Sequence, residues 1–222
     1  MRLLIAAAIS AIAASAQAAS ITDQVTFNPV IISDDDFLFQ EGDIRVDESG
    51  TISDVTVTVV FAGASDDISE SGVPSGSGDP FYDELELSLR SPAGTVVLLV
   101  TGSSYSFDED AIPEPETSPT SGTFTVTFSD AAQDEVGSTN DGIPEDGTFQ
   151  PFGLLSDFDG ENTAGTWQIL IRDALEGQPK SVNAVTLNIE TSDEITVVPL
   201  PGALPMMVGA LALLGFAARR RG

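Results

Sequence analysis

The sequence predicts an all-β sandwich, and three observations lead to that class. Between residues 21 and 194, short β-branched and apolar runs alternate with polar residues at a period of two. Clusters of Gly, Pro, Ser and Asp punctuate those runs. No heptads and no sustained 3.6-residue periodicity appear. A stretch of this length buries one good core, and no internal repeat divides it. One folded domain over 19–194 is therefore expected, with a signal peptide at 1–18 and a hydrophobic helical tail within 195–222.

The strands are taken in order. "ISDVTVTVVF" sets Val55, Val57, Val59 and Phe61 on one face and Thr56, Thr58 and Val60 on the other. "ELELSLR" puts Leu85, Leu87 and Leu89 inward against Glu84, Glu86, Ser88 and Arg90 outward. Ser91-Pro92-Ala93-Gly94 follows, with Pro and Gly at the second and fourth positions of a type I turn, and then comes "TVVLLVT". Residues 84–101 should form a hairpin. "TFTVTF" (123–128), "TWQILIR" (166–172) and "AVTLNIE" (184–190) supply further strands. Trp167 alternates with Ile169 and Ile171, so it is expected in the core. Loops are expected at 62–80, rich in Gly, Ser and Asp, and at 108–122, with Pro113, Pro115 and Pro119.

Those motifs, in their order, resemble the P domain (Homo B domain). That module is a jelly-roll-like β-sandwich found after the catalytic domain of kexin- and furin-like proprotein convertases and of many bacterial proteases. The family's L-x-SP-x-GT is matched by Leu89, Ser91, Pro92, Gly94 and Thr95. Its later F-x-G-x-x-x-x-GTW-x-L-x-x-x-D is matched by Phe158, Gly160, Gly165, Thr166, Trp167 and Asp173, with Ile169 in place of the Leu. The resemblance covers about residues 49–191. Val185 stands where the family usually has Trp, Gln178-Pro179-Lys180 replaces the usual turn Gly, and the 62–80 segment is an insertion. The resemblance implies a jelly-roll-like sandwich and an association with serine proteases.

Charge separates the ends from the body. The chain carries 35 acids and a formal charge of −27. All the acids lie between Asp23 and Glu194, where the only bases are Arg45, Arg90, Arg172 and Lys180, so 35 acids against 4 bases leave that stretch at −31. Such a body repels nucleic acid and anionic lipid. Residues 1–18 read as a secretory signal: Arg2, the apolar run Leu3–Ala14, and Ala16-Gln17-Ala18 as the small-x-small cleavage site. The mature chain should begin near Ala19, after passage through Sec-type export machinery.

No charged side chain occurs from Ile195 to Ala218, enough for a spanning helix of roughly 20 residues. Pro199, Pro201 and Pro205 place the start of any regular helix near Pro205. Arg219, Arg220 and Arg221 then hold the C-terminus inside. Val198, Pro199, Leu200 and Pro201, followed by the apolar run and the arginines, resemble the VPLPA variant of bacterial PEP-CTERM sorting tails. That resemblance implies a membrane-embedded sorting protease as partner. A plain membrane anchor is the other reading of the tail. Under both, the body faces outward.

The residue inventory narrows the chemistry. Without any His, a Ser-His-Asp triad cannot form, and a zinc site would lack imidazole ligands. Without Cys there is neither a thiol nucleophile nor a disulfide. A Ser-Lys dyad would require Lys180, the only lysine, which is expected to be solvated in a Pro-containing turn. Arg90 and Arg172 end strands and are expected to pair with surface acids. Calcium suits the acidic loops: Asp157, Asp159 and Glu161 around Gly160, Asp141, Glu145 and Asp146 in "NDGIPEDG", and Glu84 before the hairpin. Turn-capping by the same side chains is the competing reading.

The sequence thus leads to an exported, surface- or matrix-associated, non-catalytic binding or structural module, whose partner is an exported protein or a polysaccharide. The alternative is an accessory P domain serving a serine protease supplied on another chain. A third reading is a carboxylate-based hydrolase.

Overall fold

The computed structural model describes residues 19–32, 40–76, 80, 82–105, 121–138, 144–173, 178–192 and 196–197. The signal peptide and sorting-tail assignments, including Val198–Pro201 and Arg219–Arg221, lie outside these residues. Within them are eleven strands, one 3₁₀ turn at Leu155–Phe158 and no α-helix. No helix among the described residues is long and apolar enough to cross a membrane.

The strands form a sandwich. One sheet contains β1 (Ala19–Ile32), β10 (Lys180–Thr191), β4 (Ile52–Gly63), β7 (Gly122–Phe128) and β8 (Gly147–Phe149), in that spatial order. The other contains β2 (Gln40–Val46), β9 (Gly165–Asp173), β5 (Leu85–Arg90) and β6 (Val96–Val100). A short pair, β3 (Glu48–Ser49) with β11 (Thr196–Val197), forms a separate two-stranded sheet. All neighbours are antiparallel except β7 and β8.

Alternation decides which faces meet. Val55, Val57, Val59 and Phe61 of β4 and Val185, Leu187 and Ile189 of β10 are buried. They share one core with Leu85, Leu87 and Leu89 of β5 and with Trp167, Ile169 and Ile171 of β9. On the outward side of the first sheet, Thr186, Thr58, Thr127 and Thr148 fall in one cross-strand row. The hydroxyls of Thr58 and Thr127 share a 2.8 Å hydrogen bond, the kind of cross-strand pair that stabilises sheets.

Two outward assignments are corrected. Ser88 is buried although the alternation points it out, because this short side chain sits between cross-strand neighbours Leu98 and Leu170. Glu84 is also buried: β5 starts only at Leu85, so Glu84 belongs to the preceding turn and the alternation does not govern it.

Candidate functional site

The two motifs that stood apart in sequence meet at one end of the sandwich. The hairpin turn is closed by Gly94 N–H donating to the Ser91 carbonyl at 3.0 Å and Ser91 N–H donating to the Thr95 carbonyl at 2.9 Å. Gly94 takes φ +95°, which explains the glycine. Pro92 packs under Gly165, where a Cβ would lie 2.6 Å from the proline Cβ, and Gly165 itself has φ +140°. Thr95 Oγ1 donates to Glu161 Oε1. Ser91, Pro92, Gly94, Thr95 and Gly165 therefore join hairpin to loop.

Thr163 is the hub of that loop. Its hydroxyl donates to the Glu48 carbonyl at 2.5 Å and accepts from Gly50 N–H at 2.9 Å. Its carbonyl accepts from Trp167 Nε1 at 3.0 Å. The Trp167 ring meets Phe158 edge-on at 5.1 Å between centroids, a favourable aromatic geometry. Backbone bonds from Ile52 N–H to the Glu161 carbonyl and from Gly160 N–H to the Ile52 carbonyl, each 2.9 Å, zip the same loop onto β4. The motif Gly165, Thr166 and Trp167 thus sits in a structural latch.

The residues considered for calcium are dispersed. Asp157 and Asp159 are exposed on and just after the 3₁₀ turn, and Glu161 faces Thr95. Asp146 accepts Thr125 N–H at 2.7 Å and so ties the segment before β8 to β7, 21 residues earlier, rather than capping its own turn. Glu145 acts on buried Tyr105, whose hydroxyl is pushed well above its ordinary value by burial first and by the Glu145 charge second. Asp141 lies outside the described residues. Among the described residues, no three acidic side chains converge as a metal cage.

Lys180 overturns its solvated assignment. It opens β10 with 0 % exposure, donates from Nζ to the Gln178 carbonyl at 2.7 Å, and lies 3.6 Å from Glu84 Oε2. Burial of Glu84 and Lys180 together joins the two sheets through a desolvated ion pair. The proline-bearing segment hid this, because Pro179 is followed directly by a strand rather than by open turn. Arg90 and Arg172 do pair with surface acids, to Glu41 at 3.3 Å and Glu86 at 2.9 Å.

Two features escaped the sequence reading. Asp130 accepts Leu155 N–H and Ser156 N–H, each at 2.9 Å, and so caps the 3₁₀ turn from 25 and 26 residues away. Asp159, nearby, has its carboxyl raised by partial desolvation first and then by the charges of Asp54 and Asp130. Beside this acid group lies an apolar strip. Phe152 and Gly153 donate from their backbone N–H groups to the carbonyls of Leu99 and Leu98 on the outer edge of β6. Phe152 (63 % exposed) and Leu154 (60 %) thereby sit next to Val96 (47 %) and Leu98 (37 %). "QPFGLLSDF" carried a signal for this, an apolar run with no alternation.

No family model matches this chain, and no curated protein matches it. Among solved structures, it is similar to a chain of the complex of the Aeromonas sobria serine protease (ASP) with its chaperone (ORF2). The two are 15 % identical with a TM-score of 0.45, over 80 % of this chain and 27 % of that one. The chain thus spans about a quarter of that neighbour's length.

Proposed function

We propose that this protein is an exported, non-catalytic β-sandwich that binds another exported macromolecule at the bacterial cell surface or in its matrix. The observation that carries the reading is the use of the motif residues. Ser91 to Thr95, Glu161, Thr163, Gly165 and Trp167 hold loops together, and their side-chain bonds, that of Thr95 to Glu161 included, fasten loop to hairpin. With no His or Cys in the chain, and with Lys180 engaged by Gln178 and near Glu84 in the interior, the usual acyl-transfer constellations have no members. Calcium, the Sec-type passage and the C-terminal sorting protease belong to this proposal as sequence-based components.

A second reading, an accessory domain for a serine protease on another chain, is favoured by the exposed strip of Phe152, Leu154, Val96 and Leu98. Contiguous apolar surface suits a protein partner better than a glycan. Crosslinking on intact cells followed by fractionation separates the cases. Recovery in the surface or matrix fraction, with no turnover of glycoside or peptide panels, supports the binding module. A crosslinked protease supports the second reading. Turnover abolished by neutralising one carboxylate would replace both with the hydrolase.

A further inference from the structure

The strip on the β6 edge has a defined chemistry. Among the described residues five large apolar side chains are exposed, and four of them, Val96, Leu98, Phe152 and Leu154, are at this one place. Scattered exposed apolar residues are ordinary, whereas contiguous ones mark contact surfaces. The two segments are tied by the bonds of Phe152 and Gly153 to β6, so the strip is held in a fixed shape before any partner arrives.

One border of the strip is anionic. Asp130 is bonded to the backbone directly after Leu154, and Asp157 is exposed two residues beyond Leu155. Asp159 follows, close to Asp54. Each of these carboxylates belongs to a body with a net charge of −31. A second copy of this chain would bring an equal charge against it, and the repulsion disfavours self-association.

We infer that the strip formed by Val96, Leu98, Phe152 and Leu154 is a docking surface for an apolar polypeptide segment flanked by lysine or arginine. The apolar side chains of that segment cover Phe152 and Leu154, and its cations meet Asp130, Asp157 and Asp159. Apolar contact gives the affinity, while the acidic border gives orientation and a faster encounter. This inference rests on the binding-module reading and specifies its partner.

The test uses the full-length chain and three fluorescent peptides: alternating Leu-Lys, charge-matched Ser-Lys, and neutral Leu-Ser. Anisotropy is read at low and high salt. Leu-Lys is expected to bind about tenfold more tightly than Ser-Lys, and that preference disappears in F152S/L154S. The variant V96T/L98T, on the other segment, gives the same loss, and D157N weakens Leu-Lys at low salt only. Equal binding of Leu-Lys and Ser-Lys overturns the inference, as does a preference that survives both double variants. Leu-Ser binding as tightly as Leu-Lys at low salt removes the cationic partner. Sedimentation showing a dimer that F152S/L154S dissolves assigns the strip to a second copy instead. None of these failures would create substrate turnover, and turnover would overturn the module reading while leaving peptide binding measurable.

Discussion

Asp23 shares the inward face of β1 with Ile21 and Val25, and its Oδ2 is buried without a hydrogen-bond partner among the described residues. Its carboxyl is raised by burial first, then by the charges of Glu48 and Asp47. A raised acid means that the folded chain binds the proton more tightly than the unfolded one. Its contribution is therefore favourable at low pH and is lost as pH climbs from the ordinary value of 3.8 through the raised one. Asp23→Asn is accordingly expected to raise Tm at neutral pH, with a gain that shrinks below pH 3.8. A gain independent of pH would refute the electrostatic cause.

Lys180 and Glu84 make the opposite case, two charges whose burial is tolerable only together. Lys180→Met alone should cost about 3–5 kcal/mol in urea unfolding, because it leaves Glu84 buried beside an apolar chain. Adding Glu84→Leu should recover most of that loss. A single variant with unchanged stability would show that the pair is not desolvated. Trp167 was readable from its alternation with Ile169 and Ile171. Lys180 was not, since nothing in Gln-Pro-Lys distinguishes a solvated lysine from one that begins a buried strand.

Elements were legible where both faces of a strand had contrasting chemistry. β4, β7 and β10 alternate cleanly, β5 and β9 do so apart from Ser88 and Leu170, and the hairpin of β5 and β6 was marked by its Pro and Gly. β1 and β2 were not read. In β1, Asn28-Pro29 looks like a break, yet the pairing with β10 shifts register between Thr26 and Val30, which takes Pro29 out of the ladder on an edge strand. In β2, Glu41, Asp43 and Arg45 mask a buried face consisting of only Gly42, Ile44 and Val46. The latch around Thr163 was invisible for another reason: its partners Glu48 and Gly50 lie 115 and 113 residues away. Thr163→Val keeps the shape but leaves Gly50 N–H without its acceptor, so a loss of about 1–3 kcal/mol is expected. Limited proteolysis should then begin within residues 159–164. Unchanged stability and an intact loop would mean that the backbone zipper suffices.

At the scale of the whole molecule, charge is the dominant feature. A body at −31 repels itself, and dissolved ions relieve this over a screening length of about 10 Å at 0.1 M. Tm should rise steadily as NaCl is added from low ionic strength toward about 1 M, where the screening length is roughly 3 Å. A flat profile would show that the acids are spaced widely enough not to interact. Composition made this legible at once, since so acidic a surface repels nucleic acid. The position of the apolar strip was not legible, because it depends on residues 152–154 folding onto a strand more than fifty positions earlier.

The central claim is that the sandwich works outside the cell as a delivered, non-catalytic module. Intact mass of the native protein, taken from cytoplasmic, membrane and extracellular fractions, tests it most directly. The account predicts a mature chain beginning near Ala19 in the membrane or extracellular fraction. Loss of mass after about Val198 would identify a cleaved sorting tail, and retention through Gly222 an anchor. A chain found in the cytoplasm with Arg2 and the rest of the leader still attached would contradict the account.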